Sequence, residues 1–241
     1  MGIKKVIRKL VLREKSSSEA FIEYLKNHGV TVGDNCYVPE PSSVLVDMTA
    51  PWLVTMGSNI TLTHGVSILT HDYGWSVLKK SGSLRGSVLG SQAPVRIGNN
   101  VFVGINTVIT KGVTIGDNVI IGAGSIVSKD CESGFVYAGN PAAKIISIEE
   151  YAFKRERKQY EEAKKLALCY RERYSCTPPK EIFMEYFMLF CNAQEAAAVP
   201  KFHSRMESGG NYDETVAYMN SRKPMFECYE EFLKECYSEN T

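Results

Sequence analysis

Imidazole is the side chain best suited to taking a proton from a weakly acidic group near neutral pH, and the chain holds four histidines, at positions 28, 64, 71 and 203. His64 and His71 fall in one run, LTHGVSILTHDYGWS, while His28 and His203 stand far from it. Asp72, Tyr73 and Trp75 follow His71 directly. A carboxylate beside an imidazole can fix its tautomer. Neighbours along an extended chain point to opposite sides, which makes Asp72 a weak orienting partner and leaves it with Tyr73 and Trp75 as a substrate-binding candidate. The seven cysteines are scattered and form no CxxC pair, so neither a zinc site nor a redox motif is written here, and reduced thiols fit best.

A catalytic side chain needs a rigid frame, and the frame is written with a period of six. Counting in sixes from Val32 gives Val38, Val44, Ala50, Met56, Leu62 and Ile68; counting from Ile97 gives Val103, Ile109, Ile115, Ile121 and Val127, and all thirteen are apolar. At 44% hydrophobic residues, chance would produce this on the order of one time in a thousand. Glycine often follows the apolar residue (Gly33, Gly57, Gly98, Gly104, Gly116, Gly122), and a small or β-branched residue stands four after it, as at Val54, Ile60, Thr107 and Ser125. Such a period predicts short strands with a turn every six residues, the apolar residue pointing inward and glycine, Asn or Asp relaxing each corner. The coils stand only as a stack, because each buries its neighbour's backbone. The count breaks between Ile68 and Ile97, and a long interruption of a regular solenoid is the usual place for function. His71 sits at its start.

The stretch IGNNVFVGINTVITKGVTIGDNVIIGAGSIVSKD, followed by VYAGNPAAKI, resembles the hexapeptide acyltransferases, especially the sugar and capsular polysaccharide O-acetyltransferase branch, over roughly residues 31–147. The resemblance implies a mainly β fold, a left-handed parallel β-helix with three hexapeptides per coil, assembled as a homotrimer with an active site at each subunit interface. It implies acetyl-CoA as donor; no metal is expected, because only His64 and His71 are near each other in the sequence. It places the catalytic histidine at the start of the interrupting loop, which makes His71 the general base for direct attack of a hydroxyl on the thioester. His64, within a coil, competes for that role and ranks second, as a coil-face residue that helps line the cleft with Asp72, Tyr73 and Trp75, and the two aromatics can stack on a sugar ring. Lys79, Lys80 and Arg85 could attract an anionic saccharide. Coenzyme A is assigned to Gly104, Ile105, Gly122, Ala123, Ser128, Lys129, Pro141 and Lys144. Lys129 has independent sense as a point charge for a phosphate, and a glycine corner such as Gly104 offers backbone N–H groups to a tetrahedral oxyanion. The chain departs from the family's pattern two positions after Pro141, where Ala143 replaces a basic residue and Lys144 comes one step later.

Other readings share the fold. The acceptor could be an antibiotic, serine or the amine of a nucleotide sugar, or the solenoid could be a scaffold without chemistry. A zinc-dependent carbon dioxide hydratase needs a third histidine near His64 and His71.

The chain has 241 residues and a formal net charge of +1, which gives no global attraction to nucleic acid. It carries no run of eighteen apolar residues and no signal peptide, which suits the cytoplasm. Residues 1–15 hold six Lys or Arg interleaved with apolar residues, an amphipathic helix that can cap the solenoid or lie peripherally on a membrane. The expected domains are an N-terminal helical cap at 1–29, a β-helix at 30–147 with a loop insertion at 71–95, and a C-terminal helical extension at 148–241. In the extension, 148–174 reads as a solvated helix. A second helix is expected from Thr177, with Phe183, Tyr186, Phe187 and Phe190 on one face. A third opens at Pro224, with Met225, Tyr229, Phe232 and Cys236 on one face, and SGGNYDE is a mobile connection.

Overall fold

The computed structural model describes residues 11–82 and 85–238; the basic helix expected at 1–15 lies outside the described residues as far as residue 10. The chain divides into two compact units, Met1–Tyr151 and Ala152–Thr241.

In the first unit the chain coils through three parallel sheets in turn. Face 1 stacks β1 (Thr31–Val32), β3 (Val54–Met56), β6 (Val95–Ile97) and β9 (Thr114–Ile115). Face 2 stacks β4 (Ile60–Leu62), β7 (Val101–Val103), β10 (Val119–Ile121) and β12 (Phe135–Ala138), and face 3 stacks β2 (Leu45–Val46), β5 (Ser67–Ile68), β8 (Val108–Ile109) and β11 (Ile126–Val127). Arg96 lies against Thr114 and Val101 against Val119, so one coil is eighteen residues. All thirteen positions of the six-residue count are buried, which makes them one continuous apolar axis.

The left-handed corners use both residue types expected. Asn35, Asn59, Asn100, Asn106 and Asn118 have φ between 54° and 59°, and Gly65, Gly112, Gly124 and Gly134 have φ between 69° and 83°, a region asparagine tolerates better than most side chains. The glycines that follow the apolar position serve a different need. A Cβ on Gly98 would come within 2.8 Å of the Gly116 backbone and 2.7 Å of the Asp117 carboxylate in the next coil, so the spacing of the coils excludes a side chain there.

The first coil also slips from the strict count. Thr31 pairs with Thr55 twenty-four residues on, but Leu45 pairs with Ser67 twenty-two residues on. Two extra residues therefore sit at the corner between faces 2 and 3 and four at the corner between faces 3 and 1, where short 3-10 turns form at Pro41–Ser43 and Pro51–Leu53. Together they make six, so a count in sixes steps over them unnoticed. Val44 and Ala50 are buried in these turns, and Val46, outside the count, is the inward strand residue opposite Ile68.

Thr55 pairs with Arg96 forty-one residues on, twenty-three more than one coil. This insertion is pinned at its base by its own backbone: Ala93 N–H donates to Thr70 O, Asp72 N–H to Ser91 O, and His71 bridges Gln92. It holds a helix not anticipated from sequence, α2 (Trp75–Lys80). One end of the coil is covered by α1 (Ser18–Asn27), whose Phe21 and Leu25 join the core with Val30 and Val32. At the other end the antiparallel strand β13 (Ala143–Ser147) pairs with β12.

Helix α3 (Ile148–Tyr174) leads into the second unit, whose core gathers Phe183, Phe187, Phe190, Phe202 and Phe232. The helix expected from Thr177 is instead two 3-10 turns, Lys180–Phe183 and Phe187–Leu189, yet their phenylalanines are buried. The helix expected from Pro224 starts at Tyr229, so Met225 lies before it and is exposed. In SGGNYDE, Gly209 and Gly210 take left-handed φ between helices Pro200–Glu207 and Tyr212–Asn220, and the last three residues already belong to the second helix. Among the described residues no helix is long and apolar enough to cross a membrane.

Candidate active site

His71 stands three residues beyond β5 of face 3, where the long insertion leaves the coil. Its Nδ1 lies 2.5 Å from Asp47 Oδ2 and 3.2 Å from Thr49 Oγ1. Asp47 is nearly buried, at 6% exposure. Its carboxylate accepts from Thr70 N–H, the Thr70 hydroxyl, Thr49 N–H and the Thr49 hydroxyl. Burial alone would raise the Asp47 carboxyl, but these donors and His71 together hold it well below the usual carboxylate range. A charged acceptor at Nδ1 fixes the proton there and leaves Nε2 as the basic nitrogen. The His71 side chain is 26% exposed, so the ring is held at Nδ1 and is still partly accessible.

Sequence reasoning missed Asp47. It follows Val46 in the ladder, its N–H donating to Ile68 O, at the entry to the corner whose extra residues the period-six count conceals, and its distance of twenty-four residues from His71 gives no local signal. Asp72, the neighbour weighed for this task, turns away as extended geometry requires. Its carboxylate binds Lys111 Nζ, the Ser91 hydroxyl and Gly74 N–H, and Lys111 above all holds it at about 2. Asp72 is thereby the clasp that ties the start and end of the insertion to the following coil, and both its oxygens are occupied within the protein.

The remaining candidates separate onto two edges of the coil. The edge between faces 3 and 1 carries Asp47, His71, the insertion with Tyr73 and Trp75, and Lys111; Ser128 and Lys129 are one coil beyond Thr110 and Lys111, which Thr110 N–H joins to Val127 O. The edge between faces 2 and 3 stacks His64, Ile105 and Ala123: Asn106 N–H donates to His64 O, and Gly124 N–H to Ile105 O. Gly104, Gly122 and the Gly139–Pro141 turn lie on this second edge, where Ile126 N–H donates to Gly139 O. One chain therefore does not bring His71 together with Gly104, Ile105, Gly122, Ala123 or Pro141.

His64 is exposed, with Nδ1 2.6 Å from Glu40 Oε2. The Gly104 N–H, expected as a free donor, is used between coils, 2.9 Å from Ile121 O. Lys144 is held by Glu132 at 2.6 Å and lies 4.0 Å over the Phe135 ring; Glu132 raises its pKa. All seven cysteines are free thiols, and burial pushes Cys131 up to about 11, far from a reactive thiolate. Among the described residues no group of three or more His, Cys, Asp or Glu side chains is placed to hold a metal ion.

Comparison with known proteins adds to this geometry. The family model for the bacterial transferase hexapeptide (six repeats) matches residues 94–129. Protein CapG of Staphylococcus aureus is 41% identical over 157 residues, covering 63% of this chain and 83% of that protein. Among solved structures, a maltose O-acetyltransferase from Clostridium difficile 630 is 28% identical, over 60% of this chain and 82% of its own, with a TM-score of 0.39. A hexapeptide-repeat acetyltransferase of Vibrio cholerae, solved with acetyl coenzyme A, is 24% identical, over 50% of this chain and 61% of its own, with a TM-score of 0.42.

Proposed function

The chain belongs to the bacterial hexapeptide-repeat transferases, and on that premise we propose that it is an acetyl-CoA-dependent O-acetyltransferase acting on a saccharide hydroxyl in polysaccharide biosynthesis. The observation that carries this reading is His71, anchored at Nδ1 by the buried Asp47 carboxylate, with its side chain partly exposed at the start of the insertion. Residues 30–147 would coil left-handed and carry the transfer, with 148–241 as an extension. Seven free cysteines suit a cytoplasmic setting.

In the reaction His71 Nε2 takes the acceptor hydroxyl proton as that oxygen attacks the thioester carbonyl carbon. The new C–O bond forms, the C–S bond breaks, and coenzyme A leaves as a thiolate that receives the proton back from His71. Asp47 holds the ring for both transfers and offsets the imidazolium charge between them. Lys129 and Ser128 meet the donor on the edge that bears His71; Gly104, Ile105, Gly122, Ala123 and Pro141 meet it from the other edge, across a subunit interface.

The outward ladders support that assembly. Face 2 points Tyr37, Thr61, Phe102 and Ile120 outward and face 3 points Leu45, Ser67, Val108 and Ile126, whereas face 1 presents Thr31, Thr55, Arg96 and Thr114. Tyr37, Leu45 and Phe102 remain exposed in the single chain. Two apolar faces flanking one edge suit a closed threefold ring that brings unlike edges of neighbouring subunits together. Calorimetric titration with acetyl-CoA tests the donor: saturable binding near one site per subunit is expected, and no heat at millimolar donor would favour a scaffold without chemistry.

A further inference from the structure

The insertion carries a row of side chains that leads away from His71. The Tyr73 ring stands edge-on to His71 at 5.8 Å between centroids, and Trp75 follows at 5.6 Å from Tyr73. Tyr73 is exposed and Trp75 half-buried. Trp75 opens α2, and Lys79 lies four residues on, which puts the two on one helix face. Lys80 is a step further round. Lys79 and Lys80 are exposed, and the insertion's one acidic residue, Asp72, is taken by Lys111. The row thus runs from a base, over two aromatic rings, to a lysine whose backbone position is about one helical turn, or roughly 5 Å along the axis, beyond that of Trp75.

We propose that the acceptor is an anionic saccharide of at least two rings, laid along Tyr73 and Trp75 with its carboxylate or phosphate at Lys79. The inference rests on the O-acetyltransferase reading and narrows its substrate. An aromatic face stacks on the apolar face of a pyranose, one ring to each side chain, and a lysine is a point-charge partner for either anion. A small neutral acceptor would use His71 and leave Trp75 and Lys79 without a role. Cations also suit a helix C-terminus, but that explanation treats Lys79 and Lys80 alike, whereas the row singles out Lys79.

The test offers acetyl-CoA with three acceptor series of one to four rings: neutral glucose oligosaccharides, uronate oligosaccharides and phosphorylated oligosaccharides, with acetylated product separated by chromatography. The expected result is a kcat/KM that rises from one ring to two or three, with an anionic series preferred by about tenfold or more at low salt. Comparison of the two charged series distinguishes carboxylate from phosphate. Lys79→Glu should remove most of the preference, Lys80→Glu should change it by no more than about threefold, and Trp75→Ala should flatten the dependence on length. Equal or better transfer to neutral acceptors, no length dependence, or equal effects of Lys79→Glu and Lys80→Glu would overturn the proposal while leaving the O-acetyltransferase reading in place. No transfer to any saccharide would overturn both.

Discussion

Asp47→Asn removes the charge behind His71 and keeps the side chain's size. An amide can present its N–H₂ group to Nδ1 and so favour the wrong tautomer, and kcat is expected to fall by roughly 10²-fold with little change in KM for acetyl-CoA, as steady-state kinetics would show. The same carboxylate makes a pH-dependent contribution to stability. Its folded value is depressed, so the stabilisation is complete above the unfolded carboxyl value of about 3.9 and is lost as the pH falls through the lower folded value. Urea unfolding should therefore show a deficit in Asp47→Asn that shrinks below about pH 4. A deficit that grew below about pH 4 would contradict the assignment. His71 could be singled out in the sequence because it starts the break in the period, whereas Asp47 could not, because its partnership with His71 exists only once the coil has closed.

At the scale of the element, the period of six carried most of the information about the coil, since an inward residue recurs wherever a strand meets a corner. It failed where two irregular corners added up to one period, and these corners supply Asp47 and Thr49. The reason for the glycines was also hidden, because close approach between coils depends on stacking rather than on local backbone preference. Gly98→Ala would press its methyl group on the Gly116 backbone and should cost about 1–3 kcal/mol in denaturant unfolding. Ile109→Ala, at a fully buried position of the axis, should cost about 2–5 kcal/mol. The extension was less legible: aromatic spacing marked Phe183, Phe187 and Phe190 for burial but mistook 3-10 turns for a helix, because burial of one side constrains spacing similarly in both.

At the scale of the whole molecule, the proposed function requires assembly, because the candidate residues separate onto two edges of one chain. Sedimentation should find trimers, and Phe102→Asp, which puts a charge on an apolar outward ladder, should yield monomers with little transfer activity. Thr55→Asp on the polar face should stay trimeric and active. Monomers of full activity would refute the shared site. The most direct test of the account is a comparison of wild type and His71→Ala, with acetyl-CoA binding followed by calorimetry and acetyl transfer to the oligosaccharide series followed by product formation. The account predicts that the variant binds the donor as wild type does and transfers about 10²- to 10⁴-fold more slowly; transfer at the wild-type rate with normal binding would contradict it.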